Sequence, residues 1–527
     1  MKRATVAGSA GSADSGDPAP PAYAHREIVE VLSALLLALL TAMISATIIG
    51  TALPTIVGGL GGQDQLPWVA SASLLTMTVS TPLWGKLSDL FGRKLMFQSA
   101  LVVFVGGSLM SGFTPDIGVL IAGRAIQGLG AGGMYALTQV ILGDIVAPRE
   151  RGRYAGYMGA VFGVATVAGP LLGGFIVDTD WLGWRWCFFV VVPLAAVAFA
   201  VIQKVLRLPP VKRAARIDWF GAGTVTGAAT TVMLLLSLGG KEFAWNSPWT
   251  YGLGALSAVL AGLAVLAERH AAEPILPPRL FRNRTFVFGS LASVSAGMSL
   301  FAVMIYMPQY LQIAKGMTPT VSGLMSLPMV CGTFIAAIGS GRAVSVTGRW
   351  KIFPAVGLLL VAVGMALLSQ LDVGSGMLII CVDLAVVGVG LGLCMQILML
   401  AAQNAVQAAD MAAATSGVSF FRSLGGAVGV AAFGAILSSR LHDEMAGLLR
   451  AAHIRIPGDN VNLGAPESIA RLPAPLPHVV QEALTRAVET VFLVGVPVAL
   501  AGFLAVLALR ETPLRSGRSE VQVHPDS

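Results

Sequence analysis

The chain has 527 residues, 55% of them hydrophobic and only 12% charged, against about 25% charged in a soluble globular protein. That balance excludes an ordinary soluble enzyme and indicates an all-α polytopic membrane protein. The net charge of +7, from 34 Lys and Arg against 27 Asp and Glu, does not mark a nucleic-acid binder. The basic residues lie in short loops on alternate sides of apolar runs, as membrane topology requires.

Residues 1–27 are rich in Ala, Gly, Ser, Pro and Asp and read as a disordered cytoplasmic tail. The first apolar run is longer than the roughly 7–15 residues of a signal-peptide core, so none is expected. Fourteen spans follow, at 29–56, 66–86, 95–113, 117–141, 154–177, 184–206, 217–238, 249–267, 286–312, 320–341, 352–371, 376–400, 415–439 and 485–508. Each approximates the ~20 apolar residues that cross a bilayer. An even count with basic inner loops places both termini in the cytoplasm, residues 511–527 forming the second tail. On this topology residues 440–484 form a long outer loop, in which the amphipathic piece 478–486 lies on the membrane surface.

The connector at 85–94 organises the chain. Gly85 and Gly92 permit close approach and positive φ, Arg93 and Lys94 fix the cytoplasmic side, and Asp89 is an acid among bases that needs a partner. A weaker copy, Gly-x6-Gly-Arg, recurs at Gly341, Gly348 and Arg349. A second match pairs residues 124–132, with Gly128, Gly130 and Gly132, with residues 384–392, with Gly388, Gly390 and Gly392. Two copies in one order indicate parallel internal repeats. The expected organisation is a six-helix half at 28–206, two inserted helices at 217–268 and a second six-helix half at 285–510. Pro-rich basic linkers flank the insertion.

Among Lys and Arg, only Arg124 and Arg422 fall well inside spans, where a charge costs about 2.5–3.5 kcal/mol and faces a cavity or partner. Snorkelling to the interface is the competing reading, stronger for Arg422 because it is nearer the cytoplasm. Asp383 is the one carboxylate well inside a span, a titratable group unless its helix starts late enough to leave it interfacial. Tyr135, Tyr157, Trp186, Phe301, Tyr306, Phe420 and Phe421 are candidates to line an apolar pocket, and the sequence does not select among them. Gly163, Gly169, Pro170, Gly173 and Gly174 in the fifth span serve either close helix packing alone or a helix that rocks between the halves. Cys187, Cys331, Cys381 and Cys394 read as small core residues, with no metal spacing. No nucleotide-binding loop, zinc motif or nucleophile elbow occurs, so no cofactor is expected, and an ion gradient or a partner must power any pumping.

These motifs resemble the major facilitator superfamily, and within it the fourteen-helix drug:proton antiporter branch. Residues 85–94 are similar to the family's loop between helices two and three, 124–130 to its fourth-helix motif, and 163–174 to the antiporter motif of exporters. Residues 184–189 and 422–426 are similar to segments of this branch. The resemblance implies two six-helix bundles plus two extra helices, and proton-driven export of hydrophobic, often cationic, compounds by a monomer in the cytoplasmic membrane. It implies a gating loop at Gly85, Asp89, Gly92 and Arg93, with Asp89 docking on the N-terminus of the thirteenth helix near Thr415. A local pair with Arg93 is the alternative. Proton coupling is expected at Arg124 and Asp383, because the branch's first-helix aspartate is replaced here by Ser45. An exporter of an endogenous lipid, siderophore or antibiotic, and a non-transporting membrane sensor, are the alternative functions.

Overall fold

The computed structural model describes residues 25–60, 66–146, 181–206, 219–239, 243–271, 277–317, 319–407, 410–451 and 476–511, with residue 513 and parts of 157–179. The predicted tails and the linker at 207–216 lie largely or wholly outside them. Among the described residues the fold is helical, apart from one isolated bridge between Gly239 and Phe243. Helices occur at all fourteen predicted spans. In order they are α1 (His25–Leu60), α2 (Leu66–Phe91), α3 (Arg93–Gly112), α4 (Ile117–Ile145), α5 (described at 171–177), α6 (Trp186–Val205), α7 (Trp219–Leu238) and α8 (Pro248–His270). They continue as α9 (Arg284–Ala314), α10 (Leu327–Thr347), α11 (Ile352–Leu368), α12 (Met377–Asn404), α13 (Met411–Ala451) and α14 (Leu476–Leu507). Ten helices among the described residues are long and apolar enough to cross a membrane.

Local chemistry sets the ends. Asp116 caps α4 by accepting from the Val119 amide, and Asn283 caps α9 by accepting from the Thr285 and Phe286 amides. Gly92, at φ 91°, is the single residue between α2 and α3, and Gly348, at φ 71°, ends α10. The two copies of the repeated connector thus share a glycine at positive φ, which a Cβ would strain. One boundary expectation is corrected. α13 continues past residue 439 to Ala451 and α14 begins at Leu476, so residues 478–486 are the first turns of α14 rather than a separate surface piece. Arg486 holds these polar extensions, bridging Glu482 at 2.7 Å on its own helix and Glu444 of α13 at 3.1 Å.

The repeat extends into the packing. In the first half a Cβ on Gly128 or Gly132 of α4 would strike the Ser73 or Met77 carbonyl of α2, and one on Gly130 would strike Phe104 of α3. In the second half Gly388 and Gly392 of α12 stand likewise against Met329 and Thr333 of α10, and Gly390 against Gly357 and Val361 of α11. Small residues let backbones touch where no hydrophobic force draws helices together. A threonine hydroxyl crosses each contact: Thr76 Oγ1 donates to the Ala125 carbonyl at 2.7 Å, and Thr333 Oγ1 to the Gly388 carbonyl at 3.0 Å. The connector lysines also match. Lys94 Nζ donates to the Gln203 carbonyl of α6 at 2.7 Å, and Lys351 Nζ to the Leu507 carbonyl of α14 at 2.9 Å. Inserted helices α7 and α8 pack on each other, and α7 also meets α2 and α13 through Ala229, Val79 and Phe420.

Candidate functional site

The halves face each other across an open cavity of about 150 Å³. It is walled by α1, α2, α4 and residues 158 and 161 on one side, and by α9, α10, α12 and α13 on the other. Five methionines, Met43, Met77, Met158, Met329 and Met395, form much of the wall, with the rings of Tyr135 and Phe301. Methionine is unbranched and polarizable, so such a wall adapts to apolar shapes. Gln139, Gln396 and Thr333 supply most of its neutral polar groups, and Arg422 is the one charged residue among the described lining residues. Of the seven aromatic candidates, the structure selects Tyr135 and Phe301. Tyr306 is buried and donates to the Val430 carbonyl at 2.6 Å, Phe420 and Phe421 meet edge to face, and Trp186 and Tyr157 are exposed.

Arg422 does not snorkel. It is 6% exposed, and its guanidinium lies over the Tyr135 ring of α4, 5.2 Å from the centroid. Its Nη2 has no hydrogen-bond partner among the described residues. Near the connectors the halves also meet where Gly143 of α4 faces Gln403 of α12, whose amide donates to Thr415 Oγ1 at 3.0 Å.

Arg124 is buried within the first half, outside the cavity wall. Its Nη1 donates to Gln127 Oε1, and its Nε to the Val69 carbonyl at 3.4 Å. The Gln127 amide in turn donates to Ser45 Oγ at 3.0 Å and Ser108 Oγ at 2.6 Å. Ser45 therefore belongs to a hydrogen-bonded chain that ends on the buried guanidinium. Asp383 is 4% exposed and lies seven residues into α12. No hydrogen bond or ion pair joins it to Arg124 among the described residues, and it does not line the cavity. By the glycine register its repeat-mate is Gly123, one residue from Arg124, which turns it about 100° around the helix.

At the connector, Asp89 Oδ1 pairs with Arg93 Nη1 at 2.6 Å, and Arg93 Nε reaches Asp144 Oδ2 of α4 at 2.7 Å. Arg93 Nη1 also donates to Ser88 Oγ at 2.7 Å, and Ser88 Oγ to the Gly85 carbonyl at 2.7 Å. The Asp89 carboxylate is thus held locally, while Thr415 Oγ1 accepts from Gln403 and donates to the Met411 carbonyl. Asp144 is in the last turn of α4. Of the fifth-span motif, Gly163 and Pro170 lie outside the described residues. Gly169 abuts Thr47 of α1, whose hydroxyl reaches the Ala165 carbonyl at 3.0 Å, Gly173 is buried, and a Cβ on Gly174 would meet open space. The packing at Gly169 is therefore within the first half. Sequence reasoning missed Gln139, Gln396 and the methionines. The signal available was a polar amide in the apolar run of α4 and another in that of α12.

The pattern of the Major Facilitator Superfamily matches residues 35–430. The chain is 38% identical over 489 residues to an uncharacterised MFS-type transporter of Mycobacterium tuberculosis, covering 92% of this chain and 70% of that protein. It is 32% identical over 517 residues to the multidrug transporter protein MdtP of Bacillus subtilis, covering 93% and 95%. Among solved structures, the proton:xylose symporter XylE aligns with a TM-score of 0.59 at 14% identity, over 92% of this chain and 95% of that one.

Proposed function

The chain belongs to the Major Facilitator Superfamily, and from that premise we propose that it exports hydrophobic or amphiphilic small molecules across the cytoplasmic membrane in exchange for protons. The cavity between the repeats carries this reading. Both halves wall it, so rocking one half against the other would expose its contents to one side and then the other. Its methionine-rich wall suits varied apolar shapes, and relatives named for multidrug transport or efflux favour a drug-like substrate over a nutrient.

In this reading both termini are cytoplasmic, the protein acts as a monomer without a cofactor, and the connector of Gly85, Asp89, Gly92 and Arg93 gates the cytoplasmic end. Antiport needs a group that alternates between protonated and ionised forms. Asp383 is buried in a span and has no ion pair among the described residues, so its charge state is free to follow the surroundings. Arg124, with no acid beside it among the described residues, supplies a fixed positive field in the opposite half.

Uptake of a fluorescent drug into inside-out vesicles tests the reading. Accumulation that requires an imposed proton gradient and collapses with an uncoupler is expected, and gradient-independent accumulation would reject proton coupling. Asp383→Asn is expected to abolish substrate-induced proton release from purified protein while drug binding stays measurable. Proton release at the wild-type level would place the coupling group elsewhere.

A further inference from the structure

The cavity contains an unanswered positive charge. Among the described residues Arg422 is its one charged lining residue, and none of the lining residues is Asp or Glu. Arg422 is 6% exposed, its Nη2 is buried and lacks a hydrogen-bond partner among the described residues, and a tyrosine ring covers one face of the guanidinium. A ring quadrupole offsets only part of what burial costs a cation. Satisfied buried cations are paired or fully hydrogen-bonded, and this one is neither. The groups nearest in kind, Gln139, Gln396 and Ser423, are neutral.

We propose that the cavity binds organic anions, an inference that rests on the export reading for its physiological meaning. A carboxylate or sulfonate would dock on the free edge of the Arg422 guanidinium, and the apolar body of the ligand would lie against Met77, Met158, Met329 and Met395. A cation in the same place would sit beside a like charge in a low-dielectric wall and be disfavoured. The resemblance to drug:proton antiporters points the other way, to cationic compounds, but the described residues lining this cavity carry no acid to receive them. The placement also links binding to movement. Arg422 is on α13 of the second half and Tyr135 on α4 of the first, so the stacking contact spans the two halves. An anion that draws the guanidinium off the ring removes that contact and favours separation at this level.

Purified protein in nanodiscs tests this with three fluorescent probes: anionic anilinonaphthalene sulfonate, the uncharged N-phenylnaphthylamine of similar shape, and cationic ethidium. Empty nanodiscs supply the partition background. The sulfonate is expected to bind about tenfold or more tighter than the uncharged amine, the worth of a charge-assisted hydrogen bond. In Arg422→Gln the ratio is expected to fall towards unity, and Arg422→Lys to recover part of it. A structural role for Arg422 would move both affinities together and leave the ratio unchanged, which overturns the proposal. So would equal binding of sulfonate and amine by the wild type, or preference for ethidium, and these wild-type measurements decide even if Arg422→Gln does not fold. Binding needs no gradient. Sulfonate preference in a protein that transports nothing would end the export reading and leave this one standing, whereas export of ethidium without sulfonate binding would do the reverse.

Discussion

The two halves share a backbone design and differ in what they bury with it. In each, the fourth helix places two glycines against the second helix and one against the third, and in each a threonine hydroxyl bonds across the contact. The side chains around those glycines diverge. The first half buries Arg124, Gln127, Ser108 and Ser45 as one hydrogen-bonded chain. At the matching level the second half buries Leu384, Val387 and Met365. The glycines answer to backbone contact, which both halves need equally. The polar set is not needed to hold helices together, because its counterpart is apolar, so it is available for function. The connectors show the same division: both have the glycine at positive φ and the lysine that ties it to the sixth helix of its half, but only the first has the acid at Asp89, whose mate is Ser345.

The largest effect expected from breaking the shared part is at the glycines. Gly128→Ala and Gly388→Ala each drive a Cβ into the backbone of a neighbouring helix. Each is expected to cost about 3 kcal/mol, the upper end for overpacking, read as loss of the monodisperse peak in size-exclusion chromatography. Tolerance of alanine at one site but not its mate would show that the halves pack differently. Next comes the part that differs. Gln127→Leu leaves Arg124 with the Val69 carbonyl alone, and is expected to cost about 1.5–3 kcal/mol, the worth of a hydrogen bond to a charged group. The reverse swap, Val387→Gln, buries an amide where the neighbours are apolar and is expected to cost about 1–3 kcal/mol. Thermal unfolding of the two variants measures both, and a neutral Val387→Gln would mean that this position accommodates a polar group after all. The smallest change in stability is expected at the connector. The Asp89–Arg93 pair is partly exposed, so Asp89→Asn is expected to cost less than about 1 kcal/mol. Its effect is expected on export instead, and wild-type export rates in a well-expressed variant would remove Asp89 from the gate.

The amino-acid sequence by itself determined the membrane class, the fourteen spans, the repeat and its glycines. Each of these is written in short stretches of chain, as twenty-residue apolar runs or as small residues recurring on one helix face, and needs no knowledge of which helices meet. The charged residues at Arg124, Asp383 and Arg422 were legible for the same reason, since a charge inside an apolar run stands out locally. Their surroundings were not. Whether Arg422 reached water, paired with an acid or stacked on Tyr135 depended on a residue 287 positions away in sequence. Only the tertiary structure decided that, along with the choice of Tyr135 and Phe301 from seven aromatics and the joining of five methionines into one wall. Such features arise where the faces of separate helices converge, and helix rotation and tilt set those faces through packing over the whole bundle, beyond the reach of any local pattern.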